Sequence, residues 1–224
     1  MKNIKPRFLS VVIPTYHQEK IIVKDVKKIN AVLKKIRYDY EIVVVVDGKD
    51  DQTFAQAKKI EDAKIKVVGY ETNHGKGYAV RFGMARTKGD IVAFIDAGMD
   101  LDPNGLSMLL EHFEWYNADI IVGSKRHPAS QIDYPWQRKT ISWVYQMIVR
   151  ILFGLNIRDT QAGIKFYKRA VLENVLPRLI VKTYAFDIEI LAVAHRLGYK
   201  RIFEAPIRLT TWNPEGSIVS QSIL

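Results

Sequence analysis

The stretch Asp90-Ile-Val-Ala-Phe-Ile-Asp96-Ala-Gly-Met-Asp100 is an apolar run closed by two carboxylates with small residues between them. Its β-branched and aromatic content predicts a strand buried on both faces, which carries Asp96 and Asp100 to the edge of a sheet. In open α/β sheets ligands bind beyond the carboxyl ends of the strands, and paired carboxylates there suit a hard divalent cation that holds a substrate's phosphates. An ordinary acidic turn fits this stretch equally well when it is taken alone. The rest of the chain decides between the two.

Working outward, Phe8-Leu-Ser-Val-Val-Ile-Pro14, Glu41-Ile-Val-Val-Val-Val-Asp47, Ile65-Lys-Val-Val-Gly69 and Asp119-Ile-Ile-Val-Gly123 are runs of the same kind. Between the first two, Ile22, Val26, Ile29, Leu33 and Ile36 recur at spacings of four and three. They form one helical stripe, with Lys24, Lys27, Lys28, Lys34 and Lys35 mostly on the wet side. Further helices are predicted over 51–60, 75–86 and 103–116, the last with Pro at its first turn. This alternation predicts an α/β fold with a mostly parallel sheet flanked by helices.

The second half changes rhythm. Residues 123–138 are polar and rich in turn formers. Ile141, Val144, Tyr145, Ile148, Ile151 and Leu152 then mark a helix whose other faces carry Trp143, Met147, Val149 and Phe153. A helix apolar nearly all round is either buried or half sunk in a lipid surface, and core burial is the plainer expectation. A further helix over 184–197 and a short strand over 201–205 follow.

Composition narrows the function. The chain has 224 residues, 48% of them hydrophobic and 26% charged, which suits one globular domain over 1–224. It has no cysteine, which excludes disulfides, thiolate metal sites and a cysteine nucleophile. The net charge of +10 favours anionic partners. A nucleic-acid-binding reading rests on that charge alone, without an aromatic-basic recognition motif, so no nucleic acid is expected. No apolar run reaches the roughly 18–20 residues that span a bilayer, so a soluble or peripheral chain is the expectation.

Three further features fall at the predicted carboxyl edge: Pro14-Thr-Tyr16 ends the first strand, Asp47-Gly48 ends the second, and Asn73-His-Gly-Lys-Gly77 opens a helix. Each is weak singly; Gly-Lys-Gly lacks the spacing of a phosphate loop. Together they set an acid, a glycine segment with a lysine, and a carboxylate pair around one rim, where helix amides and an ammonium favour phosphate.

In order along the chain, Val12-Ile-Pro-Thr-Tyr16, Val45-Val-Asp-Gly48 with Asp51-Gln-Thr53, Asn73-His-Gly-Lys-Gly77, Gly89-Asp-Ile-Val-Ala-Phe-Ile-Asp96 and Gly123-Ser-Lys125 resemble the inverting glycosyltransferase family 2. Asp159-Thr-Gln-Ala-Gly-Ile-Lys-Phe166 and Phe186-Asp-Ile-Glu189 narrow the resemblance to the dolichyl- or polyprenyl-phosphate sugar transferases, over the chain to about Pro206. The resemblance implies a GT-A-type, Rossmann-like fold, with a nucleotide-sugar half over about 8–123 and an acceptor and membrane-facing half over about 124–224. It implies that Pro14, Tyr16 and Glu19 line the nucleotide pocket, that Asp47 contacts base or ribose, and that Gly75, Lys76 and Ala97 border the donor. Asp96 takes the first place of the family's Asp-X-Asp motif. The second acid is Gly98 here, and Asp96 with Asp100 is expected to share the Mg2+ or Mn2+ ion. His17-Gln18 replaces the family's Asn-Glu, leaving Glu19 as the nearest acid.

The implied chemistry needs little covalent help. A lipid phosphate is largely dianionic at neutral pH and attacks without a general base. Lys125, Arg138 and Ser142 fall where the family holds that phosphate, and guanidinium and ammonium groups suit it. Lys165 is expected to meet donor phosphate, with Asp159 and Gln161 in the segment that closes over the donor. Asp187 is expected near the transferred sugar, although a carboxylate in a first helical turn also stabilises the helix dipole. The implied donor is a nucleoside diphosphate hexose, GDP-mannose first and UDP-glucose second. The implied acceptor is a polyprenyl or dolichyl phosphate at the cytoplasmic face of a membrane. A sugar-phosphate nucleotidyltransferase would need glycines where Pro14-Thr-Tyr-His-Gln18 stands. A nucleotide-sugar-binding module without catalysis is the reading that Gly98 and His17-Gln18 would favour.

Overall fold

The apolar runs of the first half become strands, and their arrangement explains where the carboxylates end up. The computed structural model describes residues 7–98, 100–130 and 146–210. Strands β1 (Phe8–Thr15), β2 (Asp39–Asp47), β3 (Ile65–Tyr70) and β4 (Ile91–Ile95) pair in parallel, β3 on β2, β2 on β1 and β1 on β4. Val43, Val44, Val45 and Val46 are all fully buried, as a strand covered on both faces requires. With β5 (Ile120–Ser124), β6 (Ile164–Lys168) and β7 (Ile202–Pro206), the described residues form a seven-stranded sheet in the order β3-β2-β1-β4-β6-β5-β7.

Strand β6 is the antiparallel member of this mostly parallel sheet. It enters between β4 and β5 and runs antiparallel to both, while β5 and β7 are parallel. Being antiparallel, β6 begins at the edge where β4 ends: Ile164 lies opposite Ile95, and the Asp96 N–H donates to the Gly163 carbonyl at 2.8 Å. A segment distant in sequence therefore starts beside the acid that ends the central strand.

Two groups of helices cover the sheet. Helix α1 (Ile22–Leu33) touches α2 (Thr53–Lys58) and α4 (Gly105–Trp115), while α3 (Lys76–Met84) lies on β1 and β2 and touches α6 (Phe186–Arg196), which touches α5 (Arg169–Val175). The stripe Ile22, Val26, Ile29 and Leu33 is buried as predicted, and Lys24, Lys27 and Lys28 face water. Helix α4 begins at Gly105, with Pro103 in the turn before it rather than in its first turn.

Residues 146–153 are helical, and here plain core burial does not hold. Val149 is buried and Phe153 packs against the core, one turn apart, while Met147, Ile148, Ile151 and Leu152 are 42%, 48%, 74% and 61% exposed. The segment is thus two-sided, with apolar residues on its outer side as well. The predicted start of this helix at Ile141 lies outside the described residues. Among the described residues no helix is long and apolar enough to cross a membrane.

Candidate active site

Asp96 stands one residue beyond the end of β4 and is the first member of an alternating chain of charges. Its Oδ2 accepts from Lys76 Nζ at 2.8 Å, and the same ammonium lies 3.3 Å from Asp187 Oδ2. The other Asp187 oxygen accepts from Lys165 Nζ, which also donates to the Ala162 carbonyl at 2.7 Å. Two carboxylates and two ammoniums so alternate, drawn from β4, α3, α6 and β6, and their formal charges cancel. Both ammoniums also sit over the Phe94 ring, 5.4 Å and 5.1 Å from its centroid.

The electrostatics of this row follow from burial. About a third of the Asp96 side chain is exposed (35%), but its Oδ1 is shut off from solvent and has no hydrogen-bond partner among the described residues. Burial pushes the Asp96 carboxyl above the ordinary carboxylate value, against the opposing pull of Lys76. Burial also works against charge on Lys76, but Asp96 and Asp187 outweigh it and hold that ammonium above the ordinary lysine value. At Lys165, which is fully buried, burial prevails over Asp187 and the value falls.

Lys76 reaches Asp96 because its loop is pinned from below. Asp47, 3% exposed, accepts from the backbone N–H groups of His74 at 2.8 Å and Gly75 at 2.9 Å and from the Tyr70 hydroxyl at 2.8 Å. Asn73 donates to the Asp47 carbonyl at 3.2 Å. The acid expected at base or ribose therefore spends both carboxylate oxygens on shaping the loop that opens α3. On its far side this loop meets residues 182–186: the Tyr78 N–H donates to the Lys182 carbonyl at 3.1 Å.

The end of β1 supplies the rim. Pro14 is buried, whereas Tyr16 is 40% exposed and stacks on His17 with ring centroids 3.9 Å apart. Tyr16 Oη and His17 Nε2 converge on Asp50 Oδ2 at 3.0 Å and 2.9 Å. Sequence reading did not single out Asp50; its signal was only its place two residues after the strand-end Asp-Gly. Glu19 Oε2 accepts the Gln52 N–H at 3.1 Å, at the start of α2.

Beyond Asp96 the chain turns through Ala97 and Gly98, and the Gly98 N–H donates to Asp25 Oδ2 at 2.7 Å. Gly98 has φ +122, a backbone region that side chains other than glycine's rarely adopt. The position where the resemblance calls for a second acid thus has a backbone built for glycine. Asp100 is exposed, and its carbonyl accepts from the Thr210 N–H at 3.0 Å. Gly163 was a second unforeseen contributor: a Cβ there would stand 2.1 Å from Asp96 Oδ2.

Where the acceptor is expected, the Lys125 N–H donates to Asp159 Oδ2 at 3.0 Å, and the N–H groups of Arg158 and Asp159 both donate to Glu204 Oε1 at 3.0 Å. Asp159 so fixes the chain just past β5, and Gln161 is exposed nearby. Arg138 and Ser142 lie outside the described residues. Lys165, expected at donor phosphate, is instead sealed behind Asp187.

For Mg2+ or Mn2+, the structure offers the Asp96 carboxylate at this edge, about a third exposed (35%), with Oδ2 held by Lys76 and Oδ1 turned inward. Among the described residues no three His, Cys, Asp or Glu side chains gather into a metal-binding group. This donor set fits a cation that draws most of its ligands from a substrate diphosphate and water, as Mg2+ commonly does, rather than one held in a protein cage.

The sheet order, and acids and amides at the carboxyl ends of β1, β2 and β4, define the GT-A class of nucleotide-sugar folds. Among solved structures it is similar to mannosyl-3-phosphoglycerate synthase from Rubrobacter xylanophilus, with a TM-score of 0.73 and 18% identity, covering 96% of this chain and 69% of that one. It is also similar to glucosyl-3-phosphoglycerate synthase from Mycobacterium tuberculosis in complex with Mn2+, uridine diphosphate and phosphoglyceric acid, with a TM-score of 0.69 and 21% identity, covering 92% and 71%. The model of Glycosyl transferase family 2 matches residues 10–176, and the chain belongs to that family. Its relatives include the undecaprenyl-phosphate mannosyltransferase of Micrococcus luteus, 30% identical over 95% of this chain and 90% of that one. They also include the dolichyl-phosphate beta-glucosyltransferases of Homo sapiens, 31% identical over 89% and 64%, and of Dictyostelium discoideum, 27% identical over 85% and 63%. The chain thus spans less than two thirds of the length of these two glucosyltransferases.

Proposed function

We propose that this chain moves one hexosyl group from a nucleoside diphosphate sugar to a polyprenyl phosphate, with inversion and with Mg2+ or Mn2+ bound at Asp96. The observation that carries the reading is the partly exposed Asp96 carboxylate beside the Lys76 ammonium at the carboxyl edge of the sheet. A bound divalent ion supplies charge neutralisation for the departing diphosphate. Lys76 offers further positive charge to the same phosphates. Tyr16, His17 and Asp50 form a stacking and hydrogen-bonding rim for the nucleotide, with Glu19 and Asp47 behind it holding the loops in place. Lys125 and Arg138 receive the acceptor phosphate, whose dianion attacks the anomeric carbon directly.

Sequence relatives named for lipid-phosphate mannosyl and glucosyl transfer support the acceptor class. The exposed apolar residues of the helical segment 146–153 and the net charge of +10 support attachment at a membrane face, which we assign to the cytoplasmic side. GDP-mannose and UDP-glucose remain the two donors of choice. Incubation of each with Mn2+ and a short polyprenyl phosphate tests the reading: lipid-linked sugar from one donor supports it. Nucleotide release that does not depend on the lipid, with no lipid product, contradicts the acceptor assignment.

A further inference from the structure

The row of charges ends in a residue that has no route to a ligand. Lys165 has no exposed surface, and its ammonium is divided between Asp187 and the Ala162 carbonyl. On β6, Phe166 meets Phe113 of α4, so its neighbour Lys165 points to the opposite side of the sheet, toward Asp187 on α6. A lysine buried this deeply is retained only with a paired, hydrogen-bonded charge, and breaking such a pair leaves the partner charge uncompensated. That partner, Asp187, is the group that competes with Asp96 for Lys76: the shared ammonium lies 2.8 Å from Asp96 Oδ2 and 3.3 Å from Asp187 Oδ2.

From this geometry we infer that Lys165 is a positioning residue of the transfer site, which acts through Asp187 to keep Lys76 on Asp96. The inference rests on the proposed role of Asp96 and Lys76 and deepens it. By satisfying Asp187, Lys165 prevents that carboxylate from drawing Lys76 away. Without Lys165, the only ammonium left to Asp187 among the described residues is Lys76. Asp96 would then lose the cation that stands beside it before a divalent ion and donor arrive. Gly163 and Ala162, at the start of the same strand, tie the two ends of the row together: the Gly163 carbonyl accepts the Asp96 N–H, and the Ala162 carbonyl accepts from Lys165.

The test uses the full chain with 15N-labelled lysine ammonium groups, followed by NMR without ligand. The Lys76 signal is identified by its loss in Lys76→Met. Lys165→Met is expected to displace that signal, and Lys168→Met, on the same strand but facing a different acid, is expected to leave it in place. A Lys76 signal unmoved by Lys165→Met overturns the inference. Should Lys165→Met fail to fold, Lys165→Met with Asp187→Asn carries no stranded buried carboxylate; there Lys76 is expected to stay on Asp96 with the signal it has in Asp187→Asn alone, and a Lys76 signal that differs between these two variants overturns the inference.

A second arm measures Mn2+ binding in the presence of UDP or GDP and the kinetics of transfer. Lys165→Met is expected to tighten Mn2+ binding severalfold, because Asp96 is released from Lys76. It is expected to lower kcat about tenfold or more, with donor KM within about twofold. Raised donor KM with unchanged kcat and Mn2+ affinity would mean that Lys165 reaches donor phosphate itself, and would overturn the inference. Absence of transfer by the wild-type chain would instead count against the proposed function, while the NMR result would still decide the positioning role.

Discussion

Gly98 and Gly163 fix the surroundings of Asp96 from two sides, and each makes a separate prediction. Nothing lies within 4 Å of where a Cβ would stand at Gly98, so the space for a second acid exists, but its φ of +122 opposes one. Gly98→Asp, which restores the family's second acid, is therefore expected to lower stability by about 1–3 kcal/mol, read by urea denaturation. Unchanged stability would mean that the turn relaxes freely. At Gly163 the conflict is steric. A methyl group 2.1 Å from Asp96 Oδ2 forces that side chain aside, because the neighbouring atoms belong to the carboxylate itself. Gly163→Ala is expected to cut transfer at least about tenfold while the fold is retained, and circular dichroism with a kinetic assay checks both halves. The spelling of a motif does not reveal such contacts. Asp96 was legible because it closes an apolar run, whereas the need for glycine at 163 arises from its contact with Asp96, far away in the chain.

At the scale of elements, the sheet's outer half is pinned at the opposite edge from the site by Asp119, just before β5. Lys168 on β6 and Arg201 before β7 donate to Asp119 Oδ1 at 3.1 Å and 3.2 Å, so one carboxylate joins three strands. Burial alone would raise its pKa, but these donors outweigh it and hold the carboxyl below the ordinary value. A depressed folded-state value contributes stability that is fully present above about pH 4 and is lost as pH falls through the folded value. Asp119→Ala is accordingly expected to cost about 1–3 kcal/mol at neutral pH, with the gap to wild type narrowing under acid. A gap that stays constant into strong acid would contradict the assignment. The parallel half of the sheet was readable because each of its strands is a plain β-branched run with a helical stripe or a glycine-opened helix after it. Strand β6, Ile-Lys-Phe-Tyr-Lys, was not, because its lysine is polar by sequence and buried in fact. Only the acid on α6 makes that burial tolerable, and periodicity carries no trace of a partner so far along the chain. The outward apolar side of residues 146–153 was half legible: composition gave a helix apolar all round, and packing decided which residues the core would accept.

For the molecule as a whole, the positive charge and the outward apolar residues of 146–153 act together in the proposed attachment to a membrane. Replacing Ile151 and Leu152 by Ser is expected to weaken co-sedimentation with vesicles containing anionic lipid several-fold without reducing thermal stability, since both side chains are already exposed. Binding that is unaffected would move the membrane contact elsewhere. The central claim, however, concerns the end of β4: the Asp96 carboxylate, supported by a row of alternating charges, serves the ion that neutralises the leaving diphosphate. The measurement that meets it most directly is lipid-linked sugar formation by the wild type and by Asp96→Ala, each with Mn2+ and with the metal chelated. The account predicts product from the wild type with Mn2+ alone, and loss of at least about three orders of magnitude on either chelation or Asp96→Ala. Undiminished product from Asp96→Ala, or from the wild type after chelation, would contradict it.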